Sequence, residues 1–214
     1  MDSLVTRIIL VVVISYLLGS VPTAYLVGRF RHVNIFEIGS GNMGATNVVR
    51  ATGGLGWGLL VWFFDSSKGI LAMLIASKLL LPENAVAASV LAAIVAIIGH
   101  NWSLFATLLT GTIRGGKGAA TVFGTLLLII PLNFIAVLLI IAGLIIALTR
   151  YVSLAVLIMF GLAVAWMIVM ISQHIIPFEY LFYALAITSL ILIRFRENIQ
   201  RILAGTERRF GERA

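Results

Sequence analysis

The sequence predicts an all-α integral membrane protein of about seven transmembrane helices, with its N-terminus outside and its C-terminus in the cytoplasm. Three observations carry that expectation. Of the 214 residues 61% are apolar, mean hydropathy is +1.13 and only 11% are charged, against about 25% in a soluble domain. Several apolar runs reach the roughly 20 residues a helix needs to cross a bilayer, and none alternates as a barrel strand would. With seven spans, 12 of the 15 Lys and Arg fall on one side; with six they divide between both faces. The positive-inside rule therefore selects seven.

The elements follow in order. Leu4–Val27 is too long for the apolar core of a signal peptide and is kept as a span. Leu55–Leu81 and Ala85–Leu109 are the second and third. Gly118–Ile130 and Leu132–Leu148 are short and divided at Pro131–Asn133, as two short helices or one bent excursion. Val152–Ile171 and Phe178–Ile193 complete the set. The cytoplasmic side then carries Arg29, Arg31, Arg50, Arg114, Lys117, Arg150, Arg194, Arg196, Arg201, Arg208, Arg209 and Arg213. Arg7 and Lys78 fall toward the other side, and Lys68 lies inside a span. Linkers are short and no repeat stands out, so 1–214 is expected to form one transmembrane domain. In the tail, 195–214, apolar Ile199, Ile202 and Leu203 stand among cations, as in an interfacial amphipathic helix.

The net charge of +7 suits anionic headgroups and topology rather than nucleic acid. The chain has no cysteine, which leaves its redox compartment open.

Against this apolar background, "IGSGNMGATNVVR", Ile38 to Arg50, stands out. Gly39, Gly41 and Gly44 let backbone N–H groups turn toward one point. Ser40, Asn42, Thr46 and Asn47 add side-chain donors, "ATNVVR" can open a helix whose N-terminus attracts anions, and Arg50 offers a fork suited to phosphate. The pattern is that of a phosphate cradle; the plain alternative is a polar linker. A second glycine loop, "RGGKG", runs from Arg114 to Gly118. It misses the nucleotide P-loop by one residue: Gly118 stands where magnesium needs Ser or Thr. Lys117 among Gly115, Gly116 and Gly118 still presents a cation and open backbone donors, or simply a flexible turn.

In "FDSSKG", Asp65 and Lys68 share a helix face three residues apart. Ionisable groups at that depth line a polar cavity or neutralise each other. In "GHNWS", His100 is a base, a phosphate donor or a buried structural histidine, with Asn101 beside it. No second His or carboxylate stands at metal-ligand spacing, so neither metal nor cofactor is expected. There is no G-x-S-x-G elbow and no cysteine nucleophile. Nor is there the His-x4-Asp signature of the usual glycerolipid acyltransferases; "HIIPFE", from His174, ends in Glu. Glycine loops, cations and amide donors on one side suit two phosphorylated substrates better than a strong general base.

Taken together, "GSGNMGATNVVR", "FDSSKG", "GHNW", "RGGKGAAT" and "RENIQRILAGTE" resemble the bacterial acyl-phosphate:glycerol-3-phosphate acyltransferases of the PlsY type, in the same order and over nearly the whole chain. The resemblance implies a multi-pass enzyme of the bacterial cytoplasmic membrane. It would make lysophosphatidic acid from glycerol 3-phosphate and a long-chain acyl phosphate, in contact with membrane lipid and functionally coupled to an enzyme that produces acyl phosphate. It implies Ser40, Lys117 and Asn198 as the catalytic set. Gly39, Gly41, Asn42, Gly44, Thr46, Asn47, Arg50, Gly115, Gly116 and Gly118 would bind phosphate, with Asp65, Lys68, His100, Asn101, Arg114 and Arg196 in support. Three departures mark this chain. Phe195 stands where the family usually has His, "LFATLLTGTI" lengthens the loop before "RGGKG", and "DSSKG" replaces "DVLKG". Arg114, then Arg196, would supply the cation that Phe195 lacks. An acyl phosphate carries its own leaving group, so positioning and charge neutralisation suffice, and the substrate's phosphate can take the proton. The rival functions are a transporter of a phosphorylated solute and a silent paralogue.

Overall fold

Proline and polar punctuation cut the apolar runs into helices. The computed structural model describes residues 3–211; Arg213 lies outside them. Ser3 caps α1 (Leu4–Ser20) by accepting from the Thr6 backbone N–H. The first expected span does not run unbroken to Val27. Pro22 lacks the N–H that continuation requires and its ring would clash with the preceding turn, so the chain restarts as α2 (Thr23–Phe30). A loop leads to α3 (Ala45–Thr52), closed by Gly53 at φ 69°. Next come α4 (Leu55–Ile75), prolonged by a π-turn over Ala76–Leu80, and α5 (Ala85–Asn101).

The third expected span also needs correction. It stops at Asn101, because Trp102 leaves helical geometry at φ −133°, ψ 78°. Ser103 then pairs with Arg114 in an isolated bridge and caps a separate helix, α6 (Leu104–Thr110). Within Gly118–Ile130 only α7 (Ala119–Leu126) is helical, about 12 Å long at 1.5 Å per residue and too short to cross a bilayer alone. Pro131 opens α8 (Leu132–Thr149), and α9 (Val152–Ser172) follows one turn later. The tail forms no separate helix: α10 runs unbroken from Tyr180 to Leu203. Its tail segment is only partly amphipathic at a surface, since Phe195 and Asn198 are buried and Ile199 packs on the core, while Leu203 is exposed.

Among the described residues five helical stretches are long and apolar enough to span a membrane: Leu4–Phe30, Leu55–Leu80, Pro82–Asn101, Leu132–Thr149 and Val152–Ser172. Their outer faces carry large apolar side chains, such as Val5, Ile9, Leu59, Phe63, Ile140 and Leu144, open to the surroundings. That is the inverse of a soluble surface. Inside, α1 crosses α5 closely; a side chain at Gly19 would fall 2.0 Å from the Ala96 carbonyl oxygen, so only glycine admits this backbone contact. The largest apolar cluster joins α4, α5, α7, α8, α9 and α10 around Phe160, Tyr183 and Ile187. A smaller one seats α2, α3 and α6 on α4 through Ala24, Val48, Ala106 and Val61. Together they bring the ends of α3, α5, α7, α9 and α10 and the middle of α4 around one space.

Candidate active site

The first glycine loop is shaped from within. Gly39 and Gly41 sit at φ 60° and 62°, where a side chain is strained, and a Cβ on Gly39 would lie 2.5 Å from Asn47 Oδ1. The Asn47 amide, 2% exposed, ties the loop together. Its Oδ1 accepts from the Ser40 backbone N–H (2.9 Å), and its Nδ2 donates to the carbonyls of Ile35 (2.7 Å) and Asn42 (3.2 Å). Asn42 Nδ2 donates to the Ser40 carbonyl at 3.0 Å. No side chain caps the N-terminus of α3, which bears the positive end of the helix dipole. Gly44, Ala45 and Thr46 at that end line a cavity of about 290 Å³, with Ser40, Asn42 and Arg50 beside them.

The second glycine loop is clamped on three sides. Gly115 accepts from the Met43 backbone N–H (3.2 Å), joining the two loops, and the Gly116 N–H donates to the His100 carbonyl (2.9 Å). Arg194 of α10 donates from Nε and Nη2 to the Gly116 carbonyl at 3.0 and 2.6 Å. A Cβ on Gly116 would fall 1.9 Å from His100 Nε2, so the loop lies flat against that ring only because the residue is glycine.

Lys117 then projects into the cavity. Its ammonium donates to Asn198 Oδ1 and lies 5.1 Å from the centre of the Phe195 ring. Burial pushes the Lys117 amine down to about 8, aided by Arg201 and opposed by Glu207 and Glu197. Asn198 Nδ2 donates to Glu207 Oε1 (2.7 Å), whose Oε2 accepts from Arg201 Nε (2.9 Å). After Leu203 the chain folds back, and Arg150 holds it by donating from Nε and Nη2 to the Phe210 carbonyl at 3.0 and 2.7 Å. Glu207 and Arg208 thereby join the cavity wall.

On the far wall stand Asp65 and His100, both buried. Asp65 accepts from Lys68, which also donates to the Val21 carbonyl at 2.6 Å; His100 Nδ1 is 3.9 Å from Asp65 Oδ1. The remaining lining is apolar, from Trp62 and Phe123, from Leu139 and Ile146 of α8, and from Val152, Val156 and Met159 of α9. Ser153 interrupts it. Its hydroxyl is buried with no partner among the described residues, because the second residue of a helix has no carbonyl one turn back to bond.

A family model for glycerol-3-phosphate acyltransferase matches residues 9–205. The chain belongs to the glycerol-3-phosphate acyltransferase family. It is 40% identical over 207 residues to glycerol-3-phosphate acyltransferase 2 of Moorella thermoacetica, covering 96% of this chain and 99% of that one. It is 41% identical to glycerol-3-phosphate acyltransferase of Thermus thermophilus, covering 98% of each. Among solved structures it is similar to PlsY, an integral membrane glycerol 3-phosphate acyltransferase. The TM-score is 0.81 at 33% identity for the glycerol 3-phosphate form, over 95% of this chain and 96% of that one. For the lysophosphatidic acid form it is 0.79 at 33% identity, over 95% of both.

Of the residues that the family motifs single out, the structure brings Ser40, Asn42, Gly44, Thr46, Asn47, Arg50, Asp65, His100, Lys117, Gly118 and Asn198 to one cavity. Gly39, Gly41, Gly115 and Gly116 shape the loops behind it, and Lys68 anchors Asp65. The Asn101 amide packs beneath Gly118, 2.9 Å from where a Cβ would stand. Arg114 and Arg196 are placed elsewhere. The Arg114 guanidinium lies 4.5 Å over the Phe36 ring and donates from Nε to Thr112 Oγ1, beside a second cleft with Arg29 and His32; Arg196 is exposed. Neither lines the cavity, and the further cation on its wall is Arg208. Glu207, Arg208, Trp62 and Ser153 were missed as site residues. Only Glu207 carried a signal, as the last residue of "RENIQRILAGTE".

Proposed function

We propose that this acyltransferase moves the acyl group of a long-chain acyl phosphate to the sn-1 hydroxyl of glycerol 3-phosphate, giving lysophosphatidic acid and inorganic phosphate. The observation that carries the proposal is the two-part cavity. Its lining pairs Arg50, Lys117, Arg208 and the α3 N-terminus with an apolar arm contributed by α8 and α9. Such a shape suits two phosphates and one acyl chain. The sn-1 oxygen bonds to the acyl carbon as the bond from that carbon to the phosphate oxygen breaks. The hydroxyl proton passes to a substrate phosphate oxygen. Lys117 and Arg50 neutralise the phosphates, Ser40 and Asn198 orient them, and the α3 N-terminus offers backbone donors. Bringing hydroxyl and carbonyl together supplies most of the acceleration, since the leaving group is already good.

The same proposal includes seven passes through the bacterial cytoplasmic membrane as one domain, with the N-terminus outside. The five long apolar stretches are joined by α10 and by the short α7 with the turn that follows it. Positive charge concentrated on the cavity side supports that orientation, and the proposal extends to functional coupling with an enzyme that makes acyl phosphate. The test is purified protein in detergent with glycerol 3-phosphate and palmitoyl phosphate, and palmitoyl-CoA as the control. Lysophosphatidic acid formed from the acyl phosphate alone is the expected result. Transfer from the thioester alone, or none, refutes the donor assignment.

A further inference from the structure

We propose that Phe195 is a positioning residue, holding the Lys117 ammonium at the phosphate wall through the face of its ring. The proposal rests on the acyltransferase function above and gives the uncharged ring a task of its own. The ammonium lies 5.1 Å from the ring centre, within the reach of a cation–π attraction, which strengthens when water is excluded. Phe195 is 4% exposed and belongs to the largest apolar cluster, so the ring cannot swing aside. Asn198 lies three residues further along the same face of α10 and accepts from the same ammonium. The flexible lysine is therefore held at two points, an amide oxygen and a π face, both on one rigid helix. The face attracts the cation without adding a charge, so Lys117 keeps its charge free for a phosphate.

The charged and titratable groups around Lys117 are Arg194, Glu197 and Arg201 of α10, and Glu207 and Arg208 of the tail. Across the cavity stand Arg50 of α3, Asp65 of α4 and His100 of α5. A change at Phe195 leaves all of them in place. Burial already brings the Lys117 amine down to about 8. Losing the π face favours the neutral amine further, so the midpoint must fall. The cationic form prevails below the midpoint, so the alkaline loss of an activity that needs it moves to lower pH.

The test is Phe195→Leu, which keeps apolar bulk and removes the ring, with Phe195→Met as a second variant should Leu fail to fold. Phe195→Tyr is the rescue. Trace acetylation of the whole detergent-solubilised protein across pH, read by mass spectrometry, gives the Lys117 midpoint, with exposed Lys78 as internal reference. Leu or Met is expected to lower the midpoint by roughly 0.5–1 unit and to move the alkaline limb of kcat/KM with it, while Tyr stays at the wild-type value. An unchanged midpoint in Leu or Met, or a Tyr variant that shifts like Leu, overturns the proposal. The two hypotheses fail separately. If wild type transfers no acyl group but the midpoint still falls, the function is wrong and the clamp stands. If wild type is active and the midpoint does not move, the clamp alone is wrong.

Discussion

Glu207→Ala probes the part of the site that sequence reasoning passed over. The Glu207 carboxylate is 8% exposed and accepts from Asn198 Nδ2 at 2.7 Å and Arg201 Nε at 2.9 Å. Bonds to a charged group are worth about 1.5–3 kcal/mol each, and a buried donor left unpaired costs about 1–3 kcal/mol. Asn198, 5% exposed, cannot turn to water and bears that cost in full. The Arg201 side chain is 24% exposed and recovers most of its loss by hydration. The sum is about 2–4 kcal/mol, which lowers Tm by roughly 5–15 °C in a chain of this size. The effect on chemistry should exceed the effect on folding. Asn198 also accepts from Lys117, so freeing one side of the amide misplaces the other, and kcat/KM of the folded protein should fall by more than about tenfold. Glu207→Gln keeps a carbonyl for Asn198 and loses only the charge, so it should cost about half as much. Thermal unfolding in detergent and lysophosphatidic acid formation measure both effects. An Ala variant with wild-type Tm and wild-type kcat/KM would refute the reasoning.

Two further predictions concern the cations. Lys117→Met should reduce transfer by more than about 100-fold and remove a gain in stability that the ligand-free wild type shows as pH rises from about 8 toward about 10.4. The sign follows from the amine, held near 8 when folded and near 10.4 when unfolded. Protonation favours the unfolded chain, a penalty present in full below about 8 and relieved as pH rises from there toward 10.4. Discounted for partial exposure, it is on the order of 1–2 kcal/mol at pH 7, and a wild type whose Tm gains nothing relative to Lys117→Met between about pH 8 and 10 would contradict it. Arg50→Ala should raise the KM for glycerol 3-phosphate by roughly 10- to 150-fold. Arg114→Ala should stay within about threefold of wild type, its surface position being worth about 0.5 kcal/mol; the reverse ranking in steady-state assays would move the phosphate site.

Much of the site was legible because polar loops contrast sharply with an apolar chain. "IGSGNMGATNVVR" and "RGGKG" announce themselves by composition, and their shared side follows from counting charges. Helix ends inside apolar sequence were not legible in the same way. "NWSLFATLLT" stays hydrophobic across the break at Trp102, and the break depends on a tertiary pairing of Ser103 with Arg114 that no local pattern records. Arg114 was favoured, with Arg196 second, because it adjoins Lys117 in a lengthened loop, and Arg208 was not considered. The fold chooses otherwise. Gly205, at φ 70°, turns the tail back so that Arg208 arrives, while Phe36 draws Arg114 away. Glu207 closes the motif "RENIQRILAGTE", but only the fold shows its carboxylate buried against Asn198 and Arg201.

The apolar arm limits how this enzyme can measure an acyl chain. On α9 the lining residues Val152, Val156 and Met159 follow steps of four and three, one stripe of helix rising about 10 Å at 1.5 Å per residue. Extended hydrocarbon advances about 1.3 Å per carbon, so that stripe accompanies about eight methylenes. On α8, Leu139 lines the arm and is itself 45% exposed. The arm therefore opens sideways, and carbons beyond its reach rest against lipid. A methylene that leaves a micelle or lipid to meet the arm or lipid again gains nothing, because it is already out of water. At equal mole fraction in the micelle the rate should thus vary little from about 12 to 18 carbons. The measurement is kcat/KM for a series of acyl phosphates, each expressed as mole fraction in the micelle. A sharp optimum at one long chain length would show that the arm is closed by protein, and the open-sided geometry would be wrong.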